Sequence, residues 1–152
     1  MDFDLRAALP FLLPRAIAWA EQRSAEIRAN GFALDEAGLI IARRVGVANP
    51  ELVRVLMVGQ LPQPSDPQLR QAALATGLLG PGMVGLTLFH GIYICNGQYN
   101  VRLLSHECRH VHQYEQARSI GAYLPMYLNQ IVEFGYQRCP LEIDARQHEI
   151  QG

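Results

Sequence analysis

The spacing His106-Glu107-x-x-His110 constrains this chain more than any other feature, because packing alone does not ask for it. On an α-helix, positions four apart differ by about 40° of rotation and about 6 Å of rise, so the two imidazoles stand side by side and can share one metal ion. Glu107 follows His106 by about 100°, which puts its carboxylate beside the metal's open position rather than on the metal. Zinc hydrolysis needs this arrangement: two neutral imidazoles and a further ligand hold Zn²⁺, the metal acidifies water, and the glutamate takes the proton.

The surrounding residues fit a helix with three faces. Leu103, Glu107, His110, Gln113, Tyr114 and Ala117 fall on the His106 side, and Val101, Leu104, Cys108 and Val111 lie opposite as a stripe for the core. Ser105, Arg109, His112 and Gln116 fill the wedge between them, which predicts a strip facing water.

A chain of 152 residues is about one domain long, so residues 1–152 are expected to share one core, mostly helical over 1–80 and carrying the catalytic motif over 84–146. Charge excludes some partners. Thirteen basic against fourteen acidic residues leave a net charge of -1, which gives no electrostatic pull toward nucleic acid or an anionic membrane. The apolar run Leu5 to Ala20 follows Asp2 and Asp4 and contains Pro10, Pro14 and Arg15, so it does not read as a secretory leader. No stretch reaches about 18 uninterrupted apolar residues, the length of a membrane span. Cys95, Cys108 and Cys139 are an odd number without metal-finger spacing and read as reduced thiols. The expected compartment is the cytoplasm.

Punctuation along the chain predicts the elements. A helix is expected from Arg15 to Asn30, opened by Pro14 and closed by Gly31, and another from the Asp35 cap to about Arg44. Asn49-Pro50-Glu51 starts a helical turn that runs into a β-prone stretch, Val53 to Val58. Asp66-Pro67 caps a helix ending at Gly77, after which Val84 to Leu88 and Ile92 to Cys95 suggest a hairpin. Asn100 caps the metal-binding helix, which runs to about Arg118 with Gly121 as its stop. Helices from Leu124-Pro125 to Phe134 and from Cys139-Pro140 onward complete the chain.

Two histidines do not complete a catalytic zinc site, which ordinarily has three protein ligands and water. Glu142, Asp144, His148 and Glu149 are the downstream candidates, with His112 and Cys139 as outsiders. His112 points about 200° away from His110 and is rejected. Glu142 is preferred, since a first-turn position can be aimed inward and Ala145 on its face lets two helices approach closely.

A hairpin, His106-Glu107-x-x-His110 with Gln113 three residues on, a helix, and Pro140-Leu141-Glu142-x-x-Ala145 together resemble the gluzincin branch of zinc metallopeptidases, especially its small members. The resemblance covers about Val84 to Arg146. It implies an α+β, predominantly helical, zincin-like fold in which a small antiparallel sheet packs on the active-site helix and its edge strand aligns an extended peptide. It also implies His106, His110 and Glu142 as zinc ligands and Glu107 as general base. The chain departs from that family at Arg146, where many gluzincins carry an acidic or amide residue that orients a ligand. Arg146 is thereby free to hold Glu142 or a substrate carboxylate.

The expected protein is therefore a zinc-dependent metallopeptidase acting on peptides or proteins. Tyr123, Tyr127, Tyr136, His90 and Arg146 are its candidate oxyanion donors. The competing expectation is a zinc-stabilised domain that binds a protein partner without turnover. Glu107 speaks against it, because a structural site needs no base.

Overall fold

The computed structural model describes residues 4–152. Its first helix, α1 (Leu5–Asn30), starts ten residues before the expected position and contains both Pro10 and Pro14. The Asp4 carboxylate caps it by accepting from the Ala7 N–H. Proline in a helix interior costs about 3 kcal/mol, and burial of Leu9 and Leu12, worth about 1.5–3 kcal/mol each, offsets that here. Tertiary burial overrides the local start signal at Pro14.

Then come β1 (Phe32–Ala33), α2 (Glu36–Arg44), a 3₁₀ turn (Pro50–Leu52), β2 (Arg54–Val58) and α3 (Pro67–Thr76). The hairpin β3 (Gly85–Leu88) and β4 (Gly91–Cys95) leads into α4 (Val101–Ala117), which carries the His-Glu-x-x-His motif, and α5 (Ile120–Phe134) and α6 (Pro140–Gln147) follow. The class is α+β and mostly helical.

The sheet is mixed rather than antiparallel. Its order is β1-β2-β4-β3, with β1 antiparallel to β2, β3 antiparallel to β4, and β2 parallel to β4 in the register Val55 to Ile92. The hairpin signal concerns only neighbours in sequence. The connection from Gly59 to His90 contains a whole helix and is long enough to bring the chain back in the same direction.

Alternation along β4 divides the interior into two clusters. Ile92 and Ile94 face α2 and α4, where they meet Val53, Val55, Leu104, Cys108 and Val111. Tyr93 faces the other way against α1, where its hydroxyl donates to Glu26 at 2.9 Å. β4 is thus covered on both faces, with α1 on one and α2 and α4 on the other, and α5 packs against both α1 and α4.

Two local expectations fail for instructive reasons. Gly121 does not stop α4. Arg118 takes the left-handed turn (φ 80°) that glycine usually takes, and Ser119 caps α5 by accepting from the Ala122 N–H, so Gly121 lies in that helix's first turn. The polar wedge of α4 does not face water either. Ser105 is fully buried and accepts from the Ile150 N–H, Arg109 binds Asp144 and the Val45 carbonyl, and His112 donates to the Gly46 carbonyl. The α2 side and the chain after α6 cover it, leaving Gln116 exposed. Among the described residues no helix is long and apolar enough to cross a membrane.

Candidate metal centre

The Asn100 side chain caps α4 by accepting from the Leu103 N–H at 2.8 Å, which fixes where the helix starts. One turn in, the His106 and His110 rings stand edge to face with centroids 5.0 Å apart. Both Nδ1 atoms are committed behind the rings. His106 Nδ1 lies 2.8 Å from Glu149 Oε2, and His110 Nδ1 lies 2.8 Å from Gln113 Oε1. A carboxylate and a carbonyl can only accept, so each Nδ1 carries a hydrogen, and each Nε2 faces forward, donating to Glu142 when its ring is protonated and offering a lone pair when it is not.

The orientation of Gln113 is itself determined. Its Nε2 donates to the Leu141 carbonyl and to Asp144 Oδ2, both at 2.9 Å, so its oxygen must face His110, where the Tyr123 hydroxyl also donates to it. Arg109 holds Asp144 from behind at 2.8 Å.

Glu142 faces the two Nε2 atoms. Its oxygens lie 3.3 Å from His106 Nε2 and 3.2 Å from His110 Nε2, and the Tyr127 hydroxyl donates to it at 2.6 Å. α6 presents Glu142 in its first turn without a capping side chain at Cys139. Gln130 of α5 does that work, accepting from the Leu141 N–H and the Cys139 thiol. Ala145, fully buried, lets α6 approach α4 closely, as the sequence suggests.

His106, His110 and Glu142 each bring a ligand atom within 4.8 Å of the others, so this group could hold a metal ion. The other candidates go elsewhere. Asp144 serves Arg109 and Gln113, His148 binds the Asp144 carbonyl, Cys139 binds Gln130, and His112 binds Gly46. Glu149 stands behind His106, which is the orienting role that the motif's departure at Arg146 left open. Arg146 itself donates to the Gln137 and Tyr136 carbonyls and ties the connection between α5 and α6, away from Glu142.

Proton affinities reflect this crowding. Burial alone would lower the His110 pKa, but the hydrogen bond and charge of Glu142, and then Glu107, outweigh it and raise His110 to about 9. His106 is shifted upward by the same contest, with Glu142 again the main opponent of burial. For Glu142, burial works toward a higher value, and the hydrogen bonds from His106 and His110 hold it far below the usual carboxylate range. A cluster that draws positive charge toward one carboxylate in this way suits a cation.

Glu107 is buried beside this group. Its Oε1 accepts from the Thr87 hydroxyl at 2.8 Å. The carboxylate lies so close to β3 that a Cβ at Gly85 would fall 2.9 Å from its Oε2, so a larger residue there would push the Glu107 side chain aside. β3 is an edge strand of the sheet. Sequence reasoning missed Thr87 and Gly85, because neither has a fixed offset from the motif. Their roles follow from the hairpin's placement over α4.

A cavity of about 150 Å³ opens in front of the cluster. Tyr123, Tyr127 and Tyr136 line it, whereas His90 and Arg146 do not. His90 is bound to Glu115 at 2.9 Å. No family model, curated protein or solved structure matches the chain.

Proposed function

We propose that the protein is a zinc-dependent hydrolase of zincin type that cleaves peptide bonds. The observation that carries this reading is the convergence of two Nε2 atoms and the Glu142 carboxylate, with the Glu107 carboxylate held beside them at the head of a cavity. The donor set of two imidazoles and one carboxylate fits catalytic zinc, and every ligand has a partner behind it. A zinc ion held there would supply Lewis acidity, making water nucleophilic near neutral pH and polarising a carbonyl.

The chain's own residues would do the rest. Glu149 and Gln113 keep both imidazoles in the tautomer that offers Nε2, and Tyr127 fixes the Glu142 carboxylate. Glu107, steadied by Thr87, takes the proton of the attacking water and passes it to the departing amine nitrogen. Tyr136, which lines the cavity, offers a hydroxyl toward the developing oxyanion. Burial raises its pKa, so it remains a donor near neutral pH. The backbone of β3 offers pairing groups to an extended peptide.

The test is a peptide-library digest with zinc-loaded wild type, chelator-treated protein and Glu107→Gln. Cleavage that needs both zinc and Glu107 supports the proposal. A zinc-loaded protein that cleaves nothing, yet captures a protein partner equally well with Glu107→Gln, points to a zinc-stabilised binding domain instead.

A further inference from the structure

The cavity is charged at one end only. His106, Glu107, His110 and Glu142 are the charged or titratable metal-cluster residues in its lining, and the rest is mostly apolar, from α1, α3 and the turn that follows α3, with β3 and the tyrosines and leucines of α5 alongside. On α1 the lining residues Leu5, Leu9, Leu12 and Ala16 recur at helical spacing along three turns, which is about 16 Å. Leu69 and Ala73 of α3 line it as well. Such a wall is longer than any single amino-acid side chain.

The α1 and α3 walls offer little to a peptide backbone. Their interior N–H groups are used within the helices, only the Arg6 and Pro10 carbonyls of α1 lose their helical donors to Pro10 and Pro14, and the one hydroxyl that α3 contributes, Thr76 Oγ1, is committed to the Ala72 and Ala73 carbonyls at 3.0 Å. A peptide drawn past the metal cluster would leave amides unpaired at about 1–3 kcal/mol each, whereas a hydrocarbon chain has none to lose. An apolar cavity of about this volume takes a hydrocarbon of at least about six carbons.

We infer that the cavity binds an unbranched acyl chain, and that the substrate is an N-acylated amino acid or peptide with its acyl carbonyl at the metal cluster and its peptide part along β3. The inference rests on the metallohydrolase reading for its chemistry and on the cavity alone for its specificity. In the reaction, water adds its oxygen to the acyl carbon, the C–N bond breaks, and Glu107 carries the water's proton to the leaving nitrogen. The products are a fatty acid and a free amine.

The test uses N-acyl glycines from acetyl to decanoyl. Calorimetry on zinc-loaded Glu107→Gln measures binding without turnover, and amine release by wild type measures hydrolysis. Affinity should rise about threefold to fourfold per methylene through at least six carbons. Ala73→Phe, which adds bulk to the α3 wall of the cavity, should make the rise stop at a shorter chain than in wild type. Affinity that does not depend on chain length, or tighter binding of a Leu- or Phe-bearing peptide than of octanoyl-glycine, would overturn the inference. Chain-dependent binding with no amine release would support the acyl site and count against the hydrolase reading, so the two can fail separately.

Discussion

Two histidine-carboxylate clusters flank α4, and only one has the form of a metal centre. At the first, Glu142 faces His106 and His110. At the second, Glu115 faces His90 at 2.9 Å. Burial does not separate them: the carboxylate side chains are 4% and 8% exposed, and His106 and His90 are 12% and 13% exposed. What separates them is how the remaining bonding capacity is used. Glu115 is filled by the backbone, accepting from the Ala48 N–H at 2.7 Å and the Asn49 N–H at 3.1 Å, so it clamps the loop between α2 and β2 onto α4. Glu142 receives one hydroxyl, and two rings whose Nδ1 atoms are already satisfied turn their Nε2 atoms toward it. Adjacency of histidine and glutamate says little. The convergence of ligand atoms that are held from behind marks a group that could hold a cation.

Changes that break this contrast should differ sharply between the clusters. The largest effect is expected at Glu107. Glu107→Gln keeps size and hydrogen-bonding reach but cannot accept a proton, so hydrolysis should fall about 10²- to 10⁴-fold while zinc content and thermal stability hold. The same substitution at Glu115 should leave turnover unchanged. Next comes the ligand His110. His110→Ala should weaken zinc binding, measured by chelator competition, by more than the about 10- to 100-fold expected for removing a group behind a ligand. His90→Ala and His148→Ala should leave zinc binding as it is. Glu149→Gln and Gln113→Leu should each lie within that 10- to 100-fold range, with the fold intact by circular dichroism.

The clamp shows itself in stability instead. Glu115→Ala should cost about 1–3 kcal/mol in denaturant unfolding, because it strands the Ala48 and Asn49 N–H groups, and should not move zinc affinity. Burial works to raise the Glu115 pKa, but the His90 hydrogen bond and the two backbone donors hold it below the ordinary value. A depressed folded-state pKa gives stability that is fully present above the unfolded value of about 4.3 and is lost as pH falls through the folded value. The midpoints of wild type and Glu115→Ala should therefore differ at neutral pH and converge in acid.

What could be read from the sequence follows from how local each constraint is. Asn100, His106, Glu107 and His110 lie on one helix, so a single period fixes their relation, and Glu142 was legible because a first-turn acid next to Ala145 has few places to go. The clamp was invisible, since Glu115 meets Ala48 and His90 only through the fold. Ser105 and Arg109 read as solvent-facing because their polarity says nothing about the α6 side that covers them. The parallel pairing of β2 with β4 likewise depends on a crossover that no short motif encodes. Local boundary signals misled where burial won, as at Pro14 within α1, or where another residue took glycine's conformation, as at Arg118.

The central claim is that His106, His110 and Glu142 together hold one zinc ion, and elemental analysis of the purified chain tests it most directly. Wild type and Glu115→Ala are expected to carry one zinc per chain after dialysis against metal-free buffer, and Glu142→Ala far less than one. Wild type that retains no zinc, or Glu142→Ala that retains as much as wild type, would contradict the account.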